Sequence, residues 1–200
     1  MKIHRAGLLG AGVAGLLAAG GCLSPVRTAP RDEVAGAALD RRALAQATIA
    51  QWSVLSAQAA RLLLDEYGVP DEVHHDRLIW NNNGVWRRSV VWDARPSYVE
   101  GDELGVIEQT IDAPLTPTQA AAVAAFDSRV QFDVRSGELS ARSDREALNI
   151  LRLNLAGDVA ERRMTGDQAR VAYAQILEFE ASGKTSPYLL SLRLGLGSKP

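Results

Sequence analysis

The stretch RLIWNNNGVWRRSVVW, Arg77–Trp92, is the part of the chain that most directly indicates the fold. Its two arms, residues 77–80 and 86–92, are rich in Trp, Val, Ile and Leu, which favour β-strands. The residues between them, Asn81-Asn82-Asn83-Gly84, tolerate the positive φ of a hairpin turn. The stretch is therefore predicted to form a β-hairpin. Alternation along the second strand then places on one face Trp86, Arg88, Val90 and Trp92.

A second hairpin is predicted around Ser136-Gly137, taken as a two-residue turn. This register pairs Val134 with Leu139 and Phe132 with Ala141 on one side, and polar residues with polar residues on the other. A slip of one residue would destroy the match, because it would turn every side chain to the opposite face. A further strand is predicted at residues 104–111.

Helices are predicted on both sides of the hairpins. The first ends at Tyr67, because Gly68 and Pro70 follow it, and it begins either at Ser53 or further back, within residues 43–51. Its apolar residues at helical spacing are Leu55, Ala59, Leu62 and Leu63. A short Ala-rich helix is predicted at residues 118–126.

Two more helices are predicted in the C-terminal part. Capping-box signatures mark their starts: Ser143 with Glu146, and Thr165 with Gln168. The buried stripe predicted for the first of them consists of Leu148, Leu151, Leu155 and Val159. Near the end of the chain, leucine alternates with other residues at Leu190, Leu192, Leu194 and Leu196. This period of two predicts a strand, although the intervening glycines weaken it, and makes the tail a candidate for self-association.

These elements predict an α+β fold, with two β-hairpins and additional strands packed against several helices, two of them C-terminal. We expect a single globular domain over residues 40–200, a length that can bury a core. The only cysteine among the 200 residues is Cys22, so no intramolecular disulfide is available and apolar burial must stabilise the fold.

The first 21 residues have the layout of an export signal. Lys2 and Arg5 supply positive charge, residues 6–19 are apolar, and Ala19-Gly20-Gly21-Cys22 provides small residues before a cysteine. This layout resembles the lipobox of bacterial lipoproteins. The alternative, a transmembrane anchor, needs roughly 20 apolar residues, and residues 6–21 fall short of that length.

The resemblance implies that residues 1–21 are cleaved off as a signal peptide and that Cys22 carries the lipid that attaches the protein to a membrane. Residues 22–39, rich in Ala and Pro, are predicted to be a flexible tether. Leu23 stands where an inner-membrane retention signal has Asp, which favours the outer membrane. Loss of Lys2 and Arg5 leaves 20 basic and 24 acidic residues. Without a basic stripe, nucleic-acid binding is not predicted.

Two side-chain groups are candidate sites. His74, His75 and Asp76 could bind a metal ion, although adjacent histidines in an extended segment point to opposite faces, and the alternative is a polar connection. Tryptophan and arginine are frequent anchors of interfaces, so the hairpin is a candidate binding surface; its alternative is that the tryptophans pack under the helices. The residues of this candidate surface are Trp80, Trp86, Arg88 and Trp92.

Further stretches resemble a group of uncharacterised bacterial proteins over most of residues 52–173. They include Tyr67-Gly68-Val69-Pro70-Asp71-Glu72, Leu78-Ile79-Trp80-Asn81-Asn82 and Gly137-Glu138-Leu139-Ser140-Ala141-Arg142. That resemblance implies no activity. A shorter one, a helix running into Gly-x-Pro-Asp and a Trp-bearing hairpin, is to accessory lipoproteins of the outer-membrane β-barrel assembly machinery.

The sequence therefore predicts a lipid-anchored protein of the cell envelope that acts as a non-enzymatic binding or accessory module, with an envelope protein as a possible partner. The alternative is a metal-dependent or hydrolytic envelope enzyme that uses His74, His75 and Asp76. No phosphate-binding loop or nucleophile motif occurs, and no cofactor is predicted.

Overall fold

A six-stranded antiparallel sheet forms the centre of the protein. The structure, a computed structural model, describes residues 31–94 and 105–194. Its strands are β1 (Glu72–Val73), β2 (Arg77–Asn83), β3 (Trp86–Trp92), β4 (Ile107–Asp112), β5 (Val130–Asp133) and β6 (Glu138–Ser143). Their order across the sheet is β1-β2-β3-β4-β6-β5, so β1 and β5 are its edges.

The helices are α1 (Arg31–Ile49), α2 (Val54–Tyr67), α3 (Pro117–Phe126), α4 (Glu146–Ala160), α5 (Gly166–Ala181) and α6 (Pro187–Leu190). The predicted α+β fold is confirmed, with two hairpins, further strands and the two long C-terminal helices α4 and α5. None of the helices in the described part of the chain is long and apolar enough to cross a membrane.

All six helices pack on one face of the sheet. One apolar core joins α1 and α2 to Leu78, Trp80 and Val91 of the first hairpin. A second core joins the other four helices to Leu139 and Ala141 of β6. The strand side chains that point to the other face of the sheet belong to neither core. We call that surface the helix-free face; its central residues are Arg88, Val90 and Trp92 of β3, Thr110 of β4, and Ser140 and Arg142 of β6.

The first hairpin is confirmed, with Leu78 paired to Val91 and Trp80 to Ser89. Its predicted turn at residues 81–84 is wrong: residues 81–83 continue β2, and because Asn83 pairs with Trp86 the turn consists of Gly84 and Val85. The predicted shared face of β3 is wrong for Trp86, which lies in the helix-side core, whereas Arg88 and Trp92 lie on the helix-free face. At the end of the hairpin Asn82 has φ 52° and Gly84 has φ 65°. Trp86 is the first strand residue after this left-handed turn, and its side chain does not follow the alternation of Arg88 and Trp92.

The second hairpin forms, but its predicted register is wrong by two residues. Phe132 pairs with Leu139, and Val130 with Ala141. The loop has four residues, 134–137, because the Asp133 carboxylate accepts the Arg135 N–H at 2.8 Å and Gly137 adopts φ 69°. A shift of two residues keeps every side chain on its face, so the hydrophobic pattern could not distinguish the two registers.

Helix α2 begins after Ser53, whose hydroxyl accepts the N–H of Ser56 and thereby caps the helix. The extension through residues 43–51 is instead part of a separate helix, α1, which ends at Ile49. Leu62 is exposed, and Ala60 and Leu64 are buried in its place. The predicted tether, residues 22–39, overlaps the first nine residues of α1, and its other residues, with Cys22, lie outside the described ranges.

Helix α4 is the central helix, because residues 148–160 are all buried. It therefore carries no single buried stripe: the predicted leucines and Val159 are buried, and so are the polar residues between them. The predicted cap at Ser143 is wrong, since Ser143 ends β6 and Arg145 precedes the helix without a side-chain cap. The capping box of α5, with Thr165 and Gln168, is confirmed.

An amide side chain of α4, that of Asn154, makes three hydrogen bonds to the C-terminal segment. Asn154 Nδ2 donates to the carbonyl oxygens of Tyr188 and Ser191 at 3.0 and 2.9 Å, and its Oδ1 accepts the Arg193 N–H at 2.6 Å. The predicted strand is wrong at Leu190, which ends α6, and at residues 191–194, which are irregular. Asn154 supplies the hydrogen bonds that a neighbouring strand would have supplied. Leu196 lies outside the described residues.

We expect Asn154→Ala to detach the C-terminal segment. Each hydrogen bond contributes about 1 kcal/mol, so the free energy of unfolding should fall by about 2–3 kcal/mol. Hydrogen exchange of the Arg193 amide should rise more than that of the sheet. Asn81→Ala, at an exposed position of β2, is the control and should leave both quantities unchanged. Unaltered exchange at Arg193 in the Asn154 variant would contradict this role.

Candidate functional site

The four residues of the predicted binding surface lie in two different places. Trp80 and Trp86 are 2% and 3% exposed and belong to the helix-side cores. The Trp80 indole N–H donates to the carbonyl oxygen of Gly68 at 3.1 Å, which fixes the end of α2 on the sheet. Arg88 and Trp92 remain partly exposed on the helix-free face. The surface open to a partner therefore contains Arg88 and Trp92 but neither of the other tryptophans.

Trp92 lies between two guanidinium groups. The Arg77 and Arg142 side chains are 5.3 and 5.4 Å from the centre of its ring, within the range of cation–π attraction. Arg142 Nε donates to the Gly105 carbonyl oxygen at 2.6 Å. A Cβ at Gly105 would lie 2.7 Å from Arg142 Cγ, so glycine is required for this approach. The Trp92 Nε1 is buried and has no hydrogen-bond partner in the part of the chain that the structure describes.

Arg88 lies at the other end of the helix-free face. It donates to Glu138 at 3.2 Å, and Arg87 lies 3.8 Å from the other oxygen of the same carboxylate. Thr110, opposite Arg88 in the sheet, is 1% exposed, and its hydroxyl has no hydrogen-bond partner within residues 31–94 and 105–194. Arg88, Thr110 and Glu138 border a cavity of about 140 Å³. Such a cavity holds a few water molecules or a small polar group of a partner.

The predicted histidine site is not assembled. His74 Nε2 lies 2.9 Å from Glu72, but His75 is 95% exposed and its Nδ1 lies 3.9 Å from Asp76. No group of three His, Cys, Asp or Glu side chains within residues 31–94 and 105–194 could hold a metal ion. The segment instead connects β1 to β2, where the His74 N–H donates to the Arg77 carbonyl oxygen.

A buried polar network beneath the sheet was not predicted from the sequence. Gln109 Nε2 donates to Glu146 at 2.7 Å and to the Tyr67 hydroxyl at 3.2 Å, and its Oε1 accepts from Asn149 at 3.1 Å. The Tyr67 hydroxyl also donates to Glu146. The Ser143 hydroxyl lies 2.8 Å from Asn149 Oδ1. The network joins α2, β4 and α4.

Burial and charge act together on the acidic groups of this network. Burial raises the pKa of Tyr67 far above its usual value of 10, and the neighbouring Glu146 and Glu66 raise it further. Burial, followed by the charge of Glu146, also raises the pKa of Glu66. Tyr67 therefore stays protonated and acts as a hydrogen-bond donor. A phenol held neutral is suited to fixing a carboxylate and poorly suited to acting as a base.

A second buried polar contact ties α4 to α3. Arg152 is 1% exposed, its Nε donates to Asp127 at 2.9 Å, and its guanidinium lies 4.8 Å from the centre of the Tyr173 ring. The sequence signal for both contacts is the set of polar residues inside the apolar run of α4, namely Asn149, Arg152, Asn154 and Asp158. A polar residue on the buried side of a helix indicates a specific partner elsewhere in the fold.

No protein-family model, curated protein or solved structure matches this chain. Its function must therefore be inferred from its own geometry. The polar network beneath the sheet fixes the helices, and Arg88 and Trp92 on the helix-free face remain partly exposed to a partner.

We expect Tyr67→Phe to change how stability depends on alkaline pH. Below pH 10 both the folded and the unfolded chain keep the Tyr67 proton. Above it the unfolded chain loses the proton and the folded chain keeps it, so stability falls by up to about 1.4 kcal/mol per pH unit. The variant should lack this part of the slope. Urea unfolding between pH 9 and pH 11.5 measures it, and equal slopes in both proteins would contradict the assignment.

Proposed function

We propose that this protein is a lipid-anchored, non-enzymatic binding module of the cell envelope, and that its helix-free face contacts a partner protein. The observation that supports this most is the placement of Arg88 and Trp92. Both predicted interface residues remain accessible on the one broad sheet surface to which no described helix packs, while the other tryptophans are used in the cores.

The chemistry of the helix-free face suits a protein partner. Arginine and tryptophan are the side chains that most often dominate binding energies at interfaces. The flanking arginines hold the Trp92 ring in place, so binding would cost little side-chain entropy. Arg88 and Glu138 offer a hydrogen-bond donor and an acceptor at the border of the cavity beside Thr110.

The lipid anchor is the part of the proposal that rests on the sequence. The signal layout before Cys22 supports attachment to a membrane, and Leu23 supports the outer membrane. The alternative of a metal-dependent or hydrolytic enzyme has no comparable support, because His74 and His75 are not brought together with a third ligand among the described residues.

We expect Cys22→Ser to release the protein from the membrane fraction. The variant cannot carry a thioether-linked lipid, so it should appear in the soluble fraction, with the rest of the chain folded as before. Mass spectrometry of the native protein should show loss of residues 1–21 and the added mass of lipid. A native chain that begins at Met1, or that has a free thiol at Cys22, would contradict the anchor.

We expect a photo-crosslinking side chain at position 88 to capture one reproducible envelope protein in intact cells. The matched control is the same side chain at Arg61, an exposed arginine of α2 on the opposite side of the molecule. A second substitution, Trp92→Ala, should reduce the yield at position 88, because it removes the aromatic anchor. Capture at Arg61 but not at position 88 would place the interface elsewhere.

A further inference from the structure

None of the described strands pairs with the outer edge of β5. β5 is the last strand in the sheet order. The Arg142 N–H donates to the Arg129 carbonyl oxygen, and in an antiparallel pair such bonds recur at every second residue. Gln131 and Asp133 therefore bond to β6, while the N–H and C=O of Phe132 and the C=O of Val130 point away from the sheet.

A groove lies beside this edge, between β5 and α3. Its volume is about 510 Å³, and small or apolar side chains line most of it, among them Ala121, Ala124 and Val130. Val134 stands at one end of the groove and is 77% exposed. An apolar groove beside unpaired strand groups is a surface on which another extended strand can be added.

The order of residues along the edge indicates which strand fits it. Residues 129–133 read Arg-Val-Gln-Phe-Asp, which is basic, apolar, polar, apolar, acidic. An antiparallel partner that matches each position must read in the same order. It needs a basic residue opposite Asp133, apolar residues opposite Phe132 and Val130, and an acidic residue opposite Arg129. The segment is therefore complementary in charge and hydropathy to a second copy of itself.

We propose that two copies of this chain pair through β5, antiparallel about a two-fold axis at Gln131, and form one continuous twelve-stranded sheet. Each Phe132 N–H then donates to the Val130 carbonyl oxygen of the other copy. Opposite charges meet twice, Arg129 of one copy with Asp133 of the other. Such a contact of one patch with itself is the usual arrangement in symmetric dimers.

This register also covers the exposed valine. Val134 of one copy falls opposite Ser128 of the other, at the border of the groove beside α3. The exposed residues of α3 that face the groove are alanines, so the two α3 helices can approach each other closely on the same side of the joined sheet. The pairing uses the backbone edge of β5, although Gln131 and Asp133 also border the cavity of the helix-free face. It does not depend on the lipid anchor.

Disulfide trapping tests the axis. In the full chain carrying Cys22→Ser, the only thiol is the introduced one. Gln131 residues facing each other across the axis have Cα atoms about 4.5 Å apart, which a disulfide can bridge. We expect Gln131→Cys to form a disulfide-linked dimer on mild oxidation. Asp133→Cys should not, because the two copies of residue 133 lie about 13 Å apart.

A charge placed in the groove tests the interface in solution. Sedimentation of the unmodified chain, in detergent if lipid is attached, should show a dimer that dissociates on dilution. Val134→Lys should weaken dimerisation by at least about tenfold, whereas Val85→Lys, at an exposed valine (67%) of the first hairpin, should not. The proposal is overturned if the chain sediments as a monomer at protein concentrations up to about 1 mM. It is also overturned if the two lysine substitutions have equal effects on dimerisation, or if the disulfide forms faster at position 133 than at position 131.

Discussion

The hydrogen bond between the Gln109 and Asn149 side chains is the contact on which the arrangement of the two cores depends. Both amides are fully buried, where an unpaired polar group costs about 1–3 kcal/mol. On the helix side of β4, Ile107 belongs to the core of α1 and α2, and Ile111 to the core of the other four helices. Gln109 lies between them, so this bond fixes α4 at the junction.

The other buried polar residues of α4 also hold neighbouring elements in place through hydrogen bonds. Arg152 attaches α3 through Asp127, Asn154 attaches the C-terminal segment, and Asp158 accepts from the Tyr188 hydroxyl at 2.6 Å and from Arg163 at 2.7 Å. Each bond has an orientation, which apolar contacts lack, so α4 accepts its neighbours in one arrangement only. Because every helix is attached on this side, the opposite face of the sheet carries none of them.

Two surfaces of different chemistry therefore remain for other molecules. The helix-free face offers side chains, with the Trp92 ring stacked between arginines and Arg88 paired to Glu138. The edge of β5 offers backbone groups and an apolar groove. Side-chain surfaces select a partner by shape and charge, whereas a strand edge accepts any extended segment unless its flanking residues discriminate. Under the functions proposed above, the first would serve recognition and the second self-pairing.

The sequence by itself determined the local structure: the Trp-rich hairpin, the end of α2 at Gly68, and the capping box of α5. These depend on neighbours a few residues apart, so propensity and spacing suffice. Tertiary structure alone decided the two-residue shift of the second hairpin, the division of the tryptophans between core and surface, and the irregular tail held by Asn154. In each case several local arrangements satisfy the same hydrophobic pattern, and only contacts between residues distant in the chain select one.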